Sequence, residues 1–368
     1  MSLDKFPEDI YTGLALPKKA NPIRAKVKEV IVQAKLTNEE IEAKEGTYFD
    51  EKGFTIFDED VDVYTMVDGK KRLLAKLRKQ VIDPETIKLG WEAFWIAAGP
   101  SRNRGSAAGP INPESKYWKQ RQPQNISGWA ANETVRGKVS KMQVNNNVFS
   151  SVLGYFNASP FMKLPCRLTS YTMRYWKYYK HGLPFIHAID QCFKSLVPDK
   201  YALQRKAAEK MTIVHIADTA FSSVTINRNF RTALHKDDGD FKDGYGNLSV
   251  IERGSYHGGY TLMPEFQIGF NVRTGDFLAM DVHQWHCNTE MVETEEDKKA
   301  NKDLPRIHKD SLETGTLGAE KPFTRISFVC YLREKLRECN AAETRKFYKK
   351  VGYTYKSNSF TAKKRKHV

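Results

Sequence analysis

The sequence predicts an α+β protein, with a mostly helical N-terminal half laid over a C-terminal β-core. Three observations carry that expectation. Apolar residues recur at helical spacing in several segments of the first half. From about Met211 the texture changes to short runs rich in Val, Ile, Phe and Thr, punctuated by glycine. A composition of 40% hydrophobic and 12% aromatic residues over 368 positions is ample for a buried core and excludes wholesale disorder.

In chain order, the first amphipathic helix is expected around Ile23–Leu36, where Val27, Val30, Ile31 and Ala34 recur. A second is expected near Val63–Gln80. Trp91–Ala98 then leads into the breaker-rich GPSRNRGSAAGPINP, a long loop by composition. Helices are expected again over Asn132–Tyr155 and over Tyr171–Phe193. The aromatic stripe of the latter (Tyr171, Tyr175, Trp176, Tyr178, Tyr179) is assigned to the core. Beyond it, TIVHIA, SSVTINRNFRTALH, NLSVIE, YTLMP, FQIGFNV, DFLAMD and RISFVCYL give about seven closely spaced strands, the pattern of a β-sandwich or barrel. The chain thus divides into a mostly helical part (1–165), the β-core with a supporting helix (166–338) and a basic tail (339–368).

Composition also narrows function. No apolar run approaches the roughly 18–20 residues of a membrane span, and the N-terminal MSLDKFPEDIYTG has no apolar signal region, so no membrane partner is expected. The five cysteines are odd in number and widely spaced, without a C-x-x-C pair. They are expected to be free thiols, which excludes a disulfide scaffold or zinc finger and favours a reducing, intracellular compartment. Lys and Arg outnumber Asp and Glu by 59 to 44, a net charge of +15. From Asn340 onward nine Lys/Arg face one Glu. The terminal Lys363-Lys364-Arg365-Lys366 can neutralise phosphates or serve as a nuclear address, so a polyanionic partner, nucleic acid, is expected.

The residues that carry chemistry start on Val224–His235. Read as a strand, it places Thr225, Asn227, Asn229, Arg231, Ala233 and His235 on one face, and Val224, Ile226, Phe230 and Leu234 on the other. It ends in His235-Lys236-Asp237. Ligands at i and i+2 of an extended segment project to the same side and can share one ion. A third ligand must then come from another strand, with His283 and His286 of DVHQWHCN as candidates. Two imidazoles and one carboxylate leave three positions of an octahedral ion open, which suits non-haem Fe(II) in oxygen chemistry. On RISFVCYL, alternation puts Arg325, Ser327, Val329 and Tyr331 on one face. An inward guanidinium is a costly buried charge unless a carboxylate pairs with it, as a dicarboxylate cosubstrate would.

The order H-x-D, then Gly258-Gly259, GDFL, His and R-x-S resembles the Fe(II)/2-oxoglutarate-dependent dioxygenases. More narrowly, NFRTALHKDDGDFKDGYG, GDFLAMDVHQWHCNTE and RISFVCYLREKL resemble the TET/J-binding-protein family over about a third of the chain. The resemblance implies a double-stranded β-helix (jelly-roll, cupin-like) core. It also implies Fe(II), 2-oxoglutarate and O2 as cofactors, and oxidation of a pyrimidine 5-methyl group in nucleic acid. Carried over, His235, Asp237 and His286 would be the iron ligands, with His286 preferred to His283 by its distance from the preceding strand. Arg325 would hold the distal carboxylate of 2-oxoglutarate, with Ser327 beside it. Asn229 and Arg231 are placed near the cosubstrate or target. The loop residues Arg102, Asn103 and Arg104, His283 as a pocket residue, and the terminal basic run are expected to meet nucleic acid. Two departures stand out: a charged segment, Val292–Lys321, separates His286 from Arg325, expected to be a surface insertion, and a zinc-binding cysteine region like that of some relatives is missing from this sequence. The same metal and cosubstrate residues would also serve a prolyl or lysyl side-chain hydroxylase; a non-catalytic nucleic-acid-binding protein would not need them.

Overall fold

The computed structural model describes residues 20–362 apart from 116–117, 120–123, 128, 136, 161, 212–213, 306, 308–320, 352 and 357–358. The first part is built mainly of strands: β1 (Lys28–Val32), a short helix α1 (Asn38–Glu42), β2 (Thr55–Phe57), β3 (Val61–Val67), β4 (Lys70–Arg78), helix α2 (Pro84–Phe94), β5 (Pro100–Ser101), then β6 (Gln124–Ser127), β7 (Ala130–Val135), β8 (Lys138–Val144), β9 (Val148–Phe156) and β10 (Arg167–Leu168). Helices α3 (Ser170–Arg174), α4 (Trp176–Leu196) and α5 (Pro198–Glu209) follow. The rest comprises β11 (Ser223–Arg228), β12 (Gly246–Arg253), β13 (His257–Gly258), β14 (Thr261–Met263), β15 (Ile268–Phe270), β16 (Phe277–Met280), β17 (Cys287–Asn288), β18 (Met291–Val292), α6 (Glu295–Ala300), β19 (Thr324–Tyr331), α7 (Ala341–Val351), β20 (Tyr353–Lys356) and β21 (Ser359–Ala362).

The major sheet has ten strands, in the order β1-β3-β4-β16-β12-β19-β11-β9-β10, with β5 also paired to β9. Opposite it stands a four-stranded sheet, β17-β14-β15-β2. One face of the major sheet is covered by α2 and α4, where Phe94, Phe185, Ile186 and Ile189 pack with Ile226, Ile251, Ile326 and Phe328. Between the sheets, Val61, Val63, Leu248, Val250 and Leu278 meet Met263, Phe266, Ile268 and Phe270. The strict alternation of β19 divides it between these layers. Ile326, Phe328 and Cys330 face the helices, while Arg325, Ser327, Val329 and Tyr331 line the space between the sheets.

The N-terminal half therefore departs from its helical expectation. Val63–Gln80 is the β3–β4 hairpin, turned by Asp68 at φ 50° and Gly69 at φ 74°. The Asp-Gly pair supplies the positive φ that a tight hairpin turn needs, and it outweighs the helical spacing of the apolar residues. Asn132–Tyr155 likewise falls into β7, β8 and β9, with Gly137 at φ 74° in the turn between the first two. In place of the Ile23–Leu36 helix, β1 pairs in parallel with β3. Tyr171–Phe193 does form helix, in two segments broken at Tyr175, and Tyr171, Tyr178 and Tyr179 are buried. Of TIVHIA, the described residues 214–217 form a bend and turn rather than a strand.

Cysteine pairing is a second correction. Cys166 and Cys339 form a disulfide with Cα atoms 5.8 Å apart, tying the segment before β10 to the residues before α7, while Cys192, Cys287 and Cys330 are buried free thiols. Part of the basic C-terminal stretch is the helix α7, anchored by the buried Tyr348 and Thr344; Lys363, Lys364, Arg365 and Lys366 lie outside the described residues. The Val292–Lys321 segment opens with α6, which Asn301 fastens to the backbone of Ser255 at 2.7 and 2.9 Å. Among the described residues no helix is long and apolar enough to cross a membrane.

The ring of Phe328 lies 4.9 Å from that of Phe185 and 5.8 Å from that of Phe94, so it joins the sheet to both covering helices. Phe328→Ala is expected to destabilise the protein by about 3–5 kcal/mol, read as a lower urea midpoint at unchanged slope.

Candidate active site

A cavity of about 370 Å³ lies between the two sheets. Its three most telling side chains come from segments that close on one another by backbone pairing. His235 and His286 exchange two N–H···O=C bonds, each 3.0 Å, and the Asp237 amide donates to Val282 at 3.1 Å. This is an isolated bridge, because β11 ends at Arg228 and Asn229 takes φ 45°. The rings of His235 and His286 consequently sit with centroids 4.4 Å apart.

The ring orientations follow from their other bonds. His235 Nδ1 lies 2.8 Å from the Ala233 carbonyl and His286 Nδ1 lies 2.9 Å from that of Gln284. A carbonyl only accepts, so both Nδ1 atoms carry the proton and donate, leaving each Nε2 turned to Asp237. Those Nε2 atoms stand 3.7 Å from the two carboxylate oxygens of Asp237. The ligating atoms of the three residues all lie within 4.8 Å of one another. Two imidazoles fixed by carbonyls on their far nitrogens, with a carboxylate between them, are a donor set fitted to a divalent transition metal.

Electrostatics agree with the geometry. Burial, reinforced by the neighbouring His286, pushes His235 down to about 4, so it is a neutral donor at neutral pH. Although burial opposes the charged form, the two histidines and Arg104 hold the Asp237 carboxyl far below the usual range. For His286, burial is outweighed by Asp237, which raises its pKa.

Arg325, 3% exposed, faces the same cavity, and its Nε and Nη2 find no hydrogen-bond partner among the described residues. Its stem passes over Gly259, at φ 71°, where a Cβ would come within 3.3 Å of Arg325 Cδ and Nε. Behind it, Glu252 is its register partner on β12 and is bound by Arg273 at 3.2 Å and the Thr274 amide at 2.7 Å. Despite burial, Tyr256, Arg273 and Arg325 keep the Glu252 carboxyl below its ordinary pKa. Two guanidiniums and one carboxylate leave this corner a net positive charge, with donors free to take an anion. Ser327 lines the wall next to it.

The remaining expected residues divide. Asn103 and Arg104 line the cavity, on a loop held by the bond from the Ala233 amide to the Ala107 carbonyl at 3.0 Å. Arg102, just before them, contributes its carbonyl to Asn145 at 3.2 Å. Arg231 and Asn229 are not among the wall residues. Asn229, past the strand end, clamps the backbone of Arg325 through its amide (2.9 Å) and Oδ1 (2.7 Å). Arg231 turns to Glu290, the Phe49 carbonyl and the ring of Tyr48. The positive φ at Asn229 breaks the alternation that had placed both on the His235 face. His283 lies outside this cavity, in a smaller one with Arg72, Lys200 and Lys242.

Three residues at the other end from Arg325 went unassigned in the sequence: Asp240, Tyr331 and Arg333. Asp240 pairs with Arg333 in an isolated bridge, and burial together with the nearby Asp237 raises its carboxyl well above the ordinary range. Arg333 donates to the Tyr331 hydroxyl at 3.0 Å and to Asn157 at 3.1 Å. The signal for Tyr331 was present in the alternation of β19. Asp240 was hidden in the acidic run Asp237–Gly246.

The model of the oxygenase domain of the 2OGFeDO superfamily, Tet_JBP, matches residues 151–334. The chain belongs to this TET/JBP family. The superfamily's Fe(II), 2-oxoglutarate and O2 are thus the cofactors of the domain, and the His235–Asp237–His286 cluster and the unpartnered Arg325 fit the first two. Relatives include the thymine dioxygenase JBP1 of Trypanosoma brucei brucei, 35% identical over 160 residues, 43% of this chain and 18% of that protein. The bifunctional helicase and thymine dioxygenase JBP2 of Leishmania infantum is 32% identical over 191 residues, 51% of this chain and 15% of that one. The chain spans less than a fifth of the length of these curated relatives. Among solved structures, NgTET1 in complex with 5mC DNA aligns over 81% of this chain and 88% of its own, at 12% identity and a TM-score of 0.45.

Substituting His235 or His286 by Ala is expected to weaken Mn(II) or Fe(II) binding by more than the roughly 10–100-fold that loss of a supporting partner costs, with the circular dichroism spectrum unchanged. A protonated ring cannot ligate, and Asp237 favours the proton on His286. Metal affinity of the TET/JBP domain measured by titration calorimetry should therefore keep rising with pH above the ordinary histidine range, where an unshifted imidazole would already have lost its proton.

Proposed function

We propose that this protein hydroxylates the 5-methyl group of a pyrimidine, thymine or 5-methylcytosine, in DNA, with 2-oxoglutarate converted to succinate. The observation that carries the proposal is the convergence of two Nε2 atoms and the Asp237 carboxylate in a cavity that also presents the unpartnered guanidinium of Arg325. In this reading the opposed sheets are a double-stranded β-helix, with His235, Asp237 and His286 as the iron ligands. Iron, when bound, supplies the oxidising chemistry that couples decarboxylation of 2-oxoglutarate to hydroxylation of a C–H bond.

The chain's own side chains do the rest. Ala233 and Gln284 fix the imidazole tautomers. Arg325 binds the distal carboxylate of 2-oxoglutarate, with Ser327 beside it and Asn229 holding the Arg325 backbone in place. Tyr331, Asp240 and Arg333 form the end that receives the target: an aromatic face for the base, and donor and acceptor groups for its edge. A base must leave the duplex to reach this depth, at a cost of a few kcal/mol. The names of the JBP relatives and the net charge of +15 favour a nucleic-acid target over a protein side chain. The intact cavity constellation disfavours a non-catalytic role.

Succinate release with Fe(II), 2-oxoglutarate and thymine- or 5-methylcytosine-containing DNA tests the proposal, with the product base identified by mass spectrometry. The expected product is a 5-hydroxymethyl pyrimidine; turnover on a proline or lysine peptide alone would replace the reading with a side-chain hydroxylase. Asp237→Ala should lose turnover while remaining folded. Arg325→Ala should raise the 2-oxoglutarate KM by roughly tenfold or more, the worth of a charge-assisted pair, at unchanged metal affinity.

A further inference from the structure

A second cavity, about 350 Å³, opens beside the first and shares Asn103, Arg104 and Arg333 with it. The chemistry of its wall differs. The main cavity is lined by Asp237, Asp238 and Asp240. Among the described residues the side cavity is lined by no carboxylate; its polar groups are Asn103, the hydroxyls of Ser101, Ser151 and Ser170 and the two guanidiniums, while the buried hydroxyls of Ser150 and Thr169 donate to Asn227 and Thr172. Arg104 donates through Nη2 to the Ser151 carbonyl at 3.2 Å, and Arg333 uses Nη1 and Nη2 on Asn157 and Tyr331. The Nε atoms of both are buried without a hydrogen-bond partner among the described residues. Desolvation weighs on Arg104, and Arg333 adds repulsion to it.

We infer that the side cavity binds a phosphodiester of the target nucleotide, so that Arg104 and Arg333 form a rim with the base on one side and its backbone phosphate on the other. Two partly satisfied guanidiniums among hydroxyls, with no acid on that side among the described residues, call for a compact anion with several acceptor oxygens. The carboxylates of 2-oxoglutarate are served elsewhere, at Arg325 and the metal cluster. A nucleotide whose base reaches Tyr331 has its phosphate one sugar away, and the shared rim is where that link would cross. The inference rests on the pyrimidine-oxidase reading for the identity of the base, but on its own observations for the anion.

Ser170 lines only the side cavity, is exposed, and is the first residue of α3, a position where a carboxylate is tolerated by the helix. Ser170→Asp places a negative charge where the phosphate would sit. The test is binding of the metal-loaded protein to a short single-stranded oligonucleotide with one thymine, its flanking phosphates replaced one at a time by neutral methylphosphonate. The expectation is a rise in Kd of about tenfold for Ser170→Asp and for one methylphosphonate position. The two effects should not add: with that phosphate neutral, the penalty of Ser170→Asp should largely vanish. The KM for 2-oxoglutarate should not move. Additive penalties at every position, or a Ser170→Asp protein that binds like wild type, would overturn the phosphodiester site. Base oxidation in the same samples separates the two proposals: coupling without oxidised pyrimidine sinks the pyrimidine reading alone, and oxidation without coupling sinks the side cavity alone.

Discussion

The site depends on a pair of backbone hydrogen bonds between residues 51 positions apart in neither helix nor long strand: His235 and His286 each donate to the other's carbonyl at 3.0 Å. That exchange sets the imidazoles side by side, and the adjoining bond from Asp237 to Val282 sets the carboxylate against them. Side chains alone would not hold this arrangement. Two imidazoles and a carboxylate in a half-buried cleft carry a desolvation cost that their mutual electrostatic attraction at 3.7 Å only partly offsets. Rigid backbone, closed by the strands on either side, keeps the three groups convergent without an ion to draw them together. The spread in their proton affinities follows from burial together with this enforced proximity.

What could be read from the sequence depended on whether one period governed a segment. On β19 the two-residue period is unbroken, so Arg325, Ser327, Val329 and Tyr331 were legible as one wall. On the segment after Ser223 the same rule held to Arg228 and failed at Asn229, whose left-handed backbone turns the chain. Arg231 therefore falls outside the cavity wall, while His235 and Asp237 do come together with His286, because the i, i+2 spacing of H-x-D does not depend on the alternation before it. The N-terminal half failed for a different reason. Apolar residues in Val63–Gln80 fit a helical spacing, but Asp68-Gly69 dictates a turn, and in β3 and β4 tertiary pairing overrides the local pattern. The Cys166–Cys339 bond was not legible at all, since 173 residues separate partners that only the folded chain brings together.

The charge distribution inside the molecule is sharper than the net charge suggests. At one end of the main cavity Arg325 is balanced in part by Glu252, which is itself bound by Arg273 and Thr274. At the other, Arg104 and Arg333 face Asp237 and Asp240. Each end thus has guanidinium donors left over after its internal partners are counted, and each is positioned to take an anionic or acceptor-rich group. A cavity with guanidinium donors at both ends and a metal-fitting cluster between them is matched to two ligands meeting at the centre. That is the layout an oxidation coupled to a cosubstrate requires.

The oxygenase match begins at residue 151, yet the cavity is not built from that region alone. Asn103, Arg104 and Gly105 form part of its wall, and the loop that carries them is pinned to the segment leading to His235 by the Ala233–Ala107 bond. Strand β4 pairs with β16 and continues the major sheet, while β2 pairs with β15 and completes the minor one. Strands on both sides of the cavity therefore have neighbours from the first eighty residues. Stripping those residues away would expose the edges of β15 and β16 and leave the Leu278 and Phe270 core half covered. It follows that the residues before 151 serve the site in two distinct ways, as sheet that keeps the two walls apart at a fixed distance and as the loop that supplies the rim. Variation in that loop, more than in the metal-fitting residues, is where differences in what this fold accepts would arise.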